Sequence, residues 1–326
     1  MRSPCSAFGL GIRSNVEIAA LRGAPSTGTA DLSIELHSVP DDPEALEESG
    51  WTEFHRSQHT DEHGTPAVRA ARHGRLHLHR LRYADGTTVF VDEGGTRIWS
   101  AAPERATVED TATYLLGPAM GFVLRLRGLL CLHASAVVAG GRAVAMIGRS
   151  GAGKSTMAAS FAVRGDAVIT DDVLAIAEST DGYEVRPAYP RVRLWPESVQ
   201  GLFGHADALP RITPGWDKRH LDLTASGFRF QTQTLPLSAI YLLDDLSSPQ
   251  APWIEPVRPR DAFLAVLANT YASEFLDSSR RAAEFDAVMR LTQQVPVRRA
   301  WRHFSFDSLE PLCAAIESDA AAVATA

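Results

Sequence analysis

Residues 142–172 read RAVAMIGRSGAGKSTMAASFAVRGDAVITDD, and the interpretation of the chain turns on them. RAVAMIG is a short apolar run that stops at a glycine, the mark of a buried strand. GRSGAGKST is a loop, and TMAASFAVR has the composition of a helix, closed by Gly165. DAVITDD is a second strand. Strand, loop, helix and strand in this order form a phosphate-binding α/β unit. Gly148 to Ser155 fits the pattern G-x-x-x-x-G-K-[ST]. In such a loop the glycines let backbone N–H groups turn inward around anionic oxygens. The expected cradle is Gly148, Ser150, Gly151, Ala152 and Gly153. Lys154 is expected to reach the β- and γ-phosphates, Ser155 to ligate Mg²⁺, and Thr156 to meet the α-phosphate. The expected cofactors are therefore ATP and Mg²⁺.

The loop alone does not name a reaction, since ATPases, GTPases and small-molecule kinases share it. No LSGGQ-like stretch, no NKxD and no HRD or DFG pair accompanies it. ABC ATPases, Ras-like GTPases and eukaryotic-type kinases are set aside on that ground. What does accompany it is Asp171-Asp172. A metal site needs one carboxylate, and a strand sends neighbouring side chains to opposite faces. The second aspartate suits a reaction that must remove a proton from a hydroxyl, because a positioned carboxylate can accept it as the P–O bond forms.

Working outward, LLCLHASAVV (129–138) reads as one strand and AGGR as a tight turn. PLSAIYLLDD (236–245) reads as a further strand. Helices are expected at Asp261–Leu276, Arg281–Gln294 and Ser308–Ala322. The first hundred residues are β-rich. Alternation over Leu32–Leu36 predicts a half-buried strand, and Asp85-Gly86 and Gly94-Gly95 predict consecutive hairpins. His77 and His79 are placed together on a solvated strand face. Thr107 to Asp110 resembles a capping box, Gly117-Pro118 predicts a kink, and Gly128 a helix end. The expected organisation is α/β, with a β-rich domain over 1–105 and a loop-bearing catalytic domain over 106–326.

Composition narrows the class. The chain has 326 residues and a net charge of −7, which disfavours nucleic acid as the main partner. No apolar run approaches the roughly 18–20 residues of a membrane span, and the start does not read as a signal peptide. The three cysteines make neither a disulfide framework nor a zinc pattern. A cytoplasmic enzyme fits. Of the 32 lysines and arginines, two are lysines, Lys154 and Lys218, leaving 30 arginines. Under such a bias, positions that stay lysine suggest a need for a compact ammonium. Lys218 and Arg219 follow a Pro214-Gly215 turn and are candidates to clamp a phosphoryl group or substrate. Arg191 and Arg193 share a face if extended.

Two spacings carry a resemblance. Lys154 precedes Asp171 and Asp172 by 17 and 18 residues, with Arg164-Gly165 between, and follows His133 by 21. The block 132–176 resembles the catalytic core of bacterial HPr kinase/phosphorylase, in which a histidine opens a strand, a GxSGxGKS loop follows, and an RG…DD segment closes the unit. The resemblance implies a core akin to phosphoenolpyruvate carboxykinase and phosphoryl transfer from ATP to a serine of a small protein. It implies that His133, Asp171 and Asp172 join the loop, with Asp171 as base and Asp172 on the metal side with Ser155. The N-terminal hundred residues and the region after Asp172 depart from that family. The chain looks closer to diverged HPr-kinase-like proteins of peptide-modification clusters. The expected partner is a serine-bearing peptide or small protein, with a homo-oligomer left open. A small-molecule kinase and a nucleotide-sensing module without catalysis are the alternatives.

Overall fold

A computed structural model describes residues 3–246, 252–303 and 305–324. The chain is mixed α/β and divides into two compact units. The first comprises Met1–Leu129 and Ala272–Ser278, the second Leu130–Tyr271 and Ser279–Ala326.

The first unit holds β1 (Cys5–Ala7), β2 (Leu10–Ser14), β3 (Leu32–Leu36), β4 (Trp51–Arg56), β5 (Val68–His73), β6 (Leu78–Tyr83), β7 (Thr88–Asp92) and β8 (Arg97–Ala101). They form one sheet in the order β1-β2-β3-β8-β7-β6-β5-β4. The alternating stretch is β3, with Leu32, Ile34 and Leu36 buried. The two predicted hairpins join β6 to β7 and β7 to β8, with Gly86 and Gly95 at positive φ in their turns. Thr107 caps α1 (Val108–Tyr114) in a reciprocal capping box with Asp110. The chain kinks at Gly117-Pro118, and α2 (Met120–Leu126) follows. The paired-histidine expectation is corrected. His77 lies before β6 at φ 53° and is exposed beside Glu93, whereas His79 is buried edge-on against Phe54 and Phe122.

The second unit opens with β9 (Leu130–His133), β10 (Ser135–Ala139) and β11 (Arg142–Ile147). Then come α3 (Lys154–Val163), β12 (Ala167–Thr170), β13 (Val173–Ser179), β14 (Gly182–Arg186), β15 (Arg191–Leu194) and α4 (Pro196–Phe203). The chain continues through β16 (Arg211–Thr213), β17 (Trp216–Asp222), β18 (Arg229–Phe230), β19 (Leu235–Leu246), β20 (Trp253–Pro256) and α5 (Pro259–Leu267). It ends with α6 (Ser278–Gln294), β21 (Val297–His303) and α7 (Leu309–Ala324). The main sheet runs β18-β12-β10-β11-β19-β14-β13-β9, and β21 branches from β19 and carries β20. Strands β15, β17 and β16 form a separate small sheet.

The apolar run in β11 has a simple cause. Val144 and Met146 pack with Met157, Phe161, Leu312 and Ile316 of α3 and α7. Ala143, Ala145 and Ile147 pack with Val266, Val288 and Leu291 of α5 and α6. A strand covered on both faces has no place for polar side chains.

Three expectations change here. LLCLHASAVV is two strands: β9 pairs with β13, while β10 lies between β12 and β11, with the chain changing partners at Ala134. The helix expected over Asp261–Leu276 stops at Leu267, because the next residues bond to β9 instead: the Tyr271 N–H donates to the Cys131 carbonyl, and Thr270 bridges Leu132. Asp171 and Asp172 lie on no strand. They form the corner between β12 and β13.

Candidate functional site

The glycine loop follows β11 and opens α3. Gly148, Gly151 and Gly153 all have positive φ, at 153°, 82° and 82°, which only glycine adopts without strain. Gly148 donates its N–H to Asn269 Oδ1 at 3.1 Å. The Ala152 carbonyl accepts from Arg302 at 2.7 Å, so β21 braces the loop. Arg302 also approaches Gly153 so closely that a Cβ there would sit 2.9 Å from its guanidinium. Lys154 folds back over the loop, donating to the Gly148 and Arg149 carbonyls at 2.7 and 3.2 Å. Burial lowers its pKa, and Asp171 and then Asp172 oppose that shift.

The loop faces a cavity of about 380 Å³, lined also by His133, Arg193, Trp195, Lys218 and Phe306. Both lysines of the chain thus face one cavity. Lys218 lies 5.0 Å from the ring centres of Trp195 and of Trp216, between two aromatic faces. Burial lowers its pKa as well, with Asp172 and Asp171 opposing. Arg219 does not join it. The next residue of a strand points to the other face, and Arg219 is buried there against Asp207 at 2.6 Å. Both residues belong to β17 rather than to a turn.

The paired aspartates differ sharply. Asp171 is 4% exposed, and both its oxygens are engaged: Oδ1 accepts from Ser135 Oγ at 2.7 Å and Oδ2 from the Arg193 N–H at 2.9 Å. Asp172 has φ 73°, and the Val173 N–H donates across it to the Asp171 carbonyl at 3.0 Å. That is a γ-turn of the rare, strained kind. The turn, rather than the pleat of a strand, separates the two carboxylates. Asp172 meets His133 Nε2 at 3.5 Å, an Arg193 nitrogen at 3.6 Å and the Tyr271 hydroxyl at 3.5 Å. His133 ends β9 with its N–H on the Asn269 carbonyl at 2.7 Å and its ring edge-on to Tyr271. Burial lowers the His133 pKa, which favours the neutral imidazole, and Asp172 opposes.

No family model matches this sequence, and no curated protein matches it. Among solved structures it is similar to the Hpr(Ser) kinase/phosphatase from Coxiella burnetii, at 12% identity and a TM-score of 0.29 over 58% of this chain and 95% of that one. The chemistry of the site rests on its own residues.

The remaining expected residues divide: Gly148, Ala152, Asp171 and Asp172 are not among those that line the cavity. Ser150, Gly151, Gly153, Ser155 and Thr156 line it, and the Thr156 hydroxyl pairs with Ser198 of α4 at 2.8 Å. Arg193 lines it and holds the Tyr189 hydroxyl at 2.7 Å, whereas Arg191 turns to Asp222 at 3.5 Å. Among the residues that escape a reading of the sequence are Asn269, Tyr271, Trp195 and Arg302. None sits in a motif. The weak signal for the first two is an NTY break in an otherwise helical stretch (269–271).

Proposed function

We propose that this chain is an ATP-dependent phosphotransferase, with an HPr-kinase-like phosphate-loop core and a β-rich N-terminal domain, acting on a serine hydroxyl of a peptide or small protein. The observation that carries the reading is the convergence on one cavity of the glycine loop, the chain's two lysines, His133 and Arg193, with Asp172 against His133 and Arg193 and Asp171 on the Arg193 N–H. A binding module has no need of a strained, partly buried carboxylate beside a histidine.

In this reading the loop N–H groups and the positive end of α3 bind the triphosphate. Lys154 leaves the loop carbonyls for the β- and γ-phosphates, and Lys218 meets the transferring group from the opposite wall. The donor set suits Mg²⁺, which keeps several waters and asks few protein oxygens. Ser155 and Asp171 would hold it, and it would neutralise phosphate charge when bound. No group of three His, Cys, Asp or Glu among the described residues forms a denser metal site.

The contacts favour reversing the roles read from the sequence. Asp171 already accepts two hydrogen bonds and acts as a fixed, buried anchor. Asp172 is the more open carboxylate and the better base. It takes the proton of the serine hydroxyl as the oxygen bonds to the γ-phosphorus and the bond to ADP breaks. His133 and Tyr271 orient it.

Transfer of labelled phosphate from ATP to serine-containing peptides, followed by phosphoserine mapping, tests the proposal. Lys154→Ala is expected to lose nucleotide affinity, and unchanged ATP binding by that variant refutes the phosphate-loop reading.

A further inference from the structure

Beyond the phosphate loop the cavity reaches the first turn of α4, where Glu197 and Ser198 line it. Thr156, the residue expected at the α-phosphate, is tied to Ser198 in the first turn of that helix. Gly201 lies three residues further on and therefore on the same face. The Phe306 ring is seated on Gly201: a Cβ there would fall 2.2, 2.3 and 2.4 Å from ring atoms Cδ1, Cε1 and Cγ. Phe306 nonetheless lines the cavity and is 42% exposed. Its turn is fixed, because Ser308 Oγ reaches both the His303 and Ser305 carbonyls at 2.7 Å. The order along the cavity is thus loop, then Thr156, then an open aromatic ring one helical turn away. A nucleotide has the same order of parts: terminal phosphates, α-phosphate, nucleoside.

We infer that Phe306 is the stacking platform for the base of the bound nucleotide, with Gly201 as its seat. The inference rests on the reading that the loop Gly148–Ser155 holds the triphosphate. The ligand class is a nucleoside triphosphate held by the π-face of its base, a contact that every base offers. Gly201 is required because any side chain there displaces the ring.

The test compares two probes on the full chain by calorimetry: ATP, and inorganic tripolyphosphate, which has the phosphates without the base. Phe306→Ala is expected to weaken ATP roughly tenfold or more while leaving tripolyphosphate within about twofold, as loss of one stacked base predicts. Gly201→Ala is expected to move the two affinities in the same directions. Phe306→Trp keeps a stacking face. It is expected to retain ATP binding, and the emission it adds over the native tryptophans is expected to be quenched by ATP and not by tripolyphosphate. Equal ATP affinity in wild type and Phe306→Ala, or equal losses for both probes, overturns the platform. Wild-type protein that binds neither probe, or Lys154→Ala protein that binds both normally, overturns the loop reading and the platform with it.

Discussion

Asp172 is the residue at which stability and the proposed chemistry conflict. A non-glycine residue at φ 73° in a γ-turn carries strain of about 1–3 kcal/mol. Asp172→Gly removes that strain, so the variant is expected to melt no lower than wild type while losing phosphoryl transfer. Asp172→Ala loses the same contacts and keeps the strain, so a Tm for Asp172→Gly no higher than for Asp172→Ala would show that the turn is not strained. Asp172→Asn keeps the shape and removes the base. It is expected to bind ATP normally and to slow transfer by about 10²-fold or more. Asp171→Asn is expected to act on stability as well, because it leaves a buried donor from Ser135 or Arg193 with a poorer acceptor. If Asp172→Asn kept full transfer while Asp171→Asn abolished it at unchanged stability, Asp171 would be the base after all.

At the scale of elements, the small sheet β15-β17-β16 does two separate jobs. One face of β17 presents Lys218 between Trp195 and Trp216, and the other buries Arg219. Trp216→Leu keeps apolar bulk but removes an aromatic face. The lysine loses a contact that favours its charged form, so kcat is expected to fall at alkaline pH first, with ATP affinity little changed. An unaltered pH profile would assign the tryptophan to packing alone. The same strand carries His220, whose pKa is pushed down to about 4 by burial, with Arg191 adding to the shift and Asp222 opposing it. The fold therefore holds His220 neutral. Below about pH 6.5 the unfolded chain takes up a proton that the folded chain does not, so stability is lost as pH falls from about 6.5 towards 4. His220→Asn is expected to lose less Tm than wild type between about pH 7 and about pH 5, read by thermal denaturation. The segment after α5 is a third case. Asn269 serves the loop with its side chain and His133 with its carbonyl, so Asn269→Ala is expected to impair nucleotide binding without touching the nucleotide itself.

At the scale of the whole molecule, the chain passes from the second unit to the first and back between Tyr271 and Ser279. Phe275, in that excursion, is 4% exposed and packs on His55 and Phe122 of the first unit. A fragment of residues 130–326 would leave this ring uncovered. It is expected to be less soluble than the full chain and to be improved by Phe275→Ser, with solubility and melting as the readouts. Among the described residues no helix is long and apolar enough to cross a membrane.

Local signals are legible wherever local physics decides. The glycine loop and the Asp85-Gly86 hairpin need positive φ at fixed positions, so their glycines are visible in the text, and the Thr107–Asp110 cap is legible because its two side chains bond each other's backbone three residues apart. The lysine bias points to Lys154 and Lys218, and both line one cavity. Arg219 fails the same expectation because a neighbour's role does not extend across a strand whose faces alternate. The partner change at Ala134, the end of α5 at Leu267 and the bracing of the loop by Arg302 depend on residues far away in the chain, and no local pattern encodes them. The two adjacent aspartates show the division most clearly. The sequence by itself determined that two carboxylates stand a fixed distance after a phosphate loop. Only the tertiary structure decided which is buried and which is open, because Ser135, Arg193 and the turn at Asp172 set their surroundings, and a side chain's chemistry follows its surroundings.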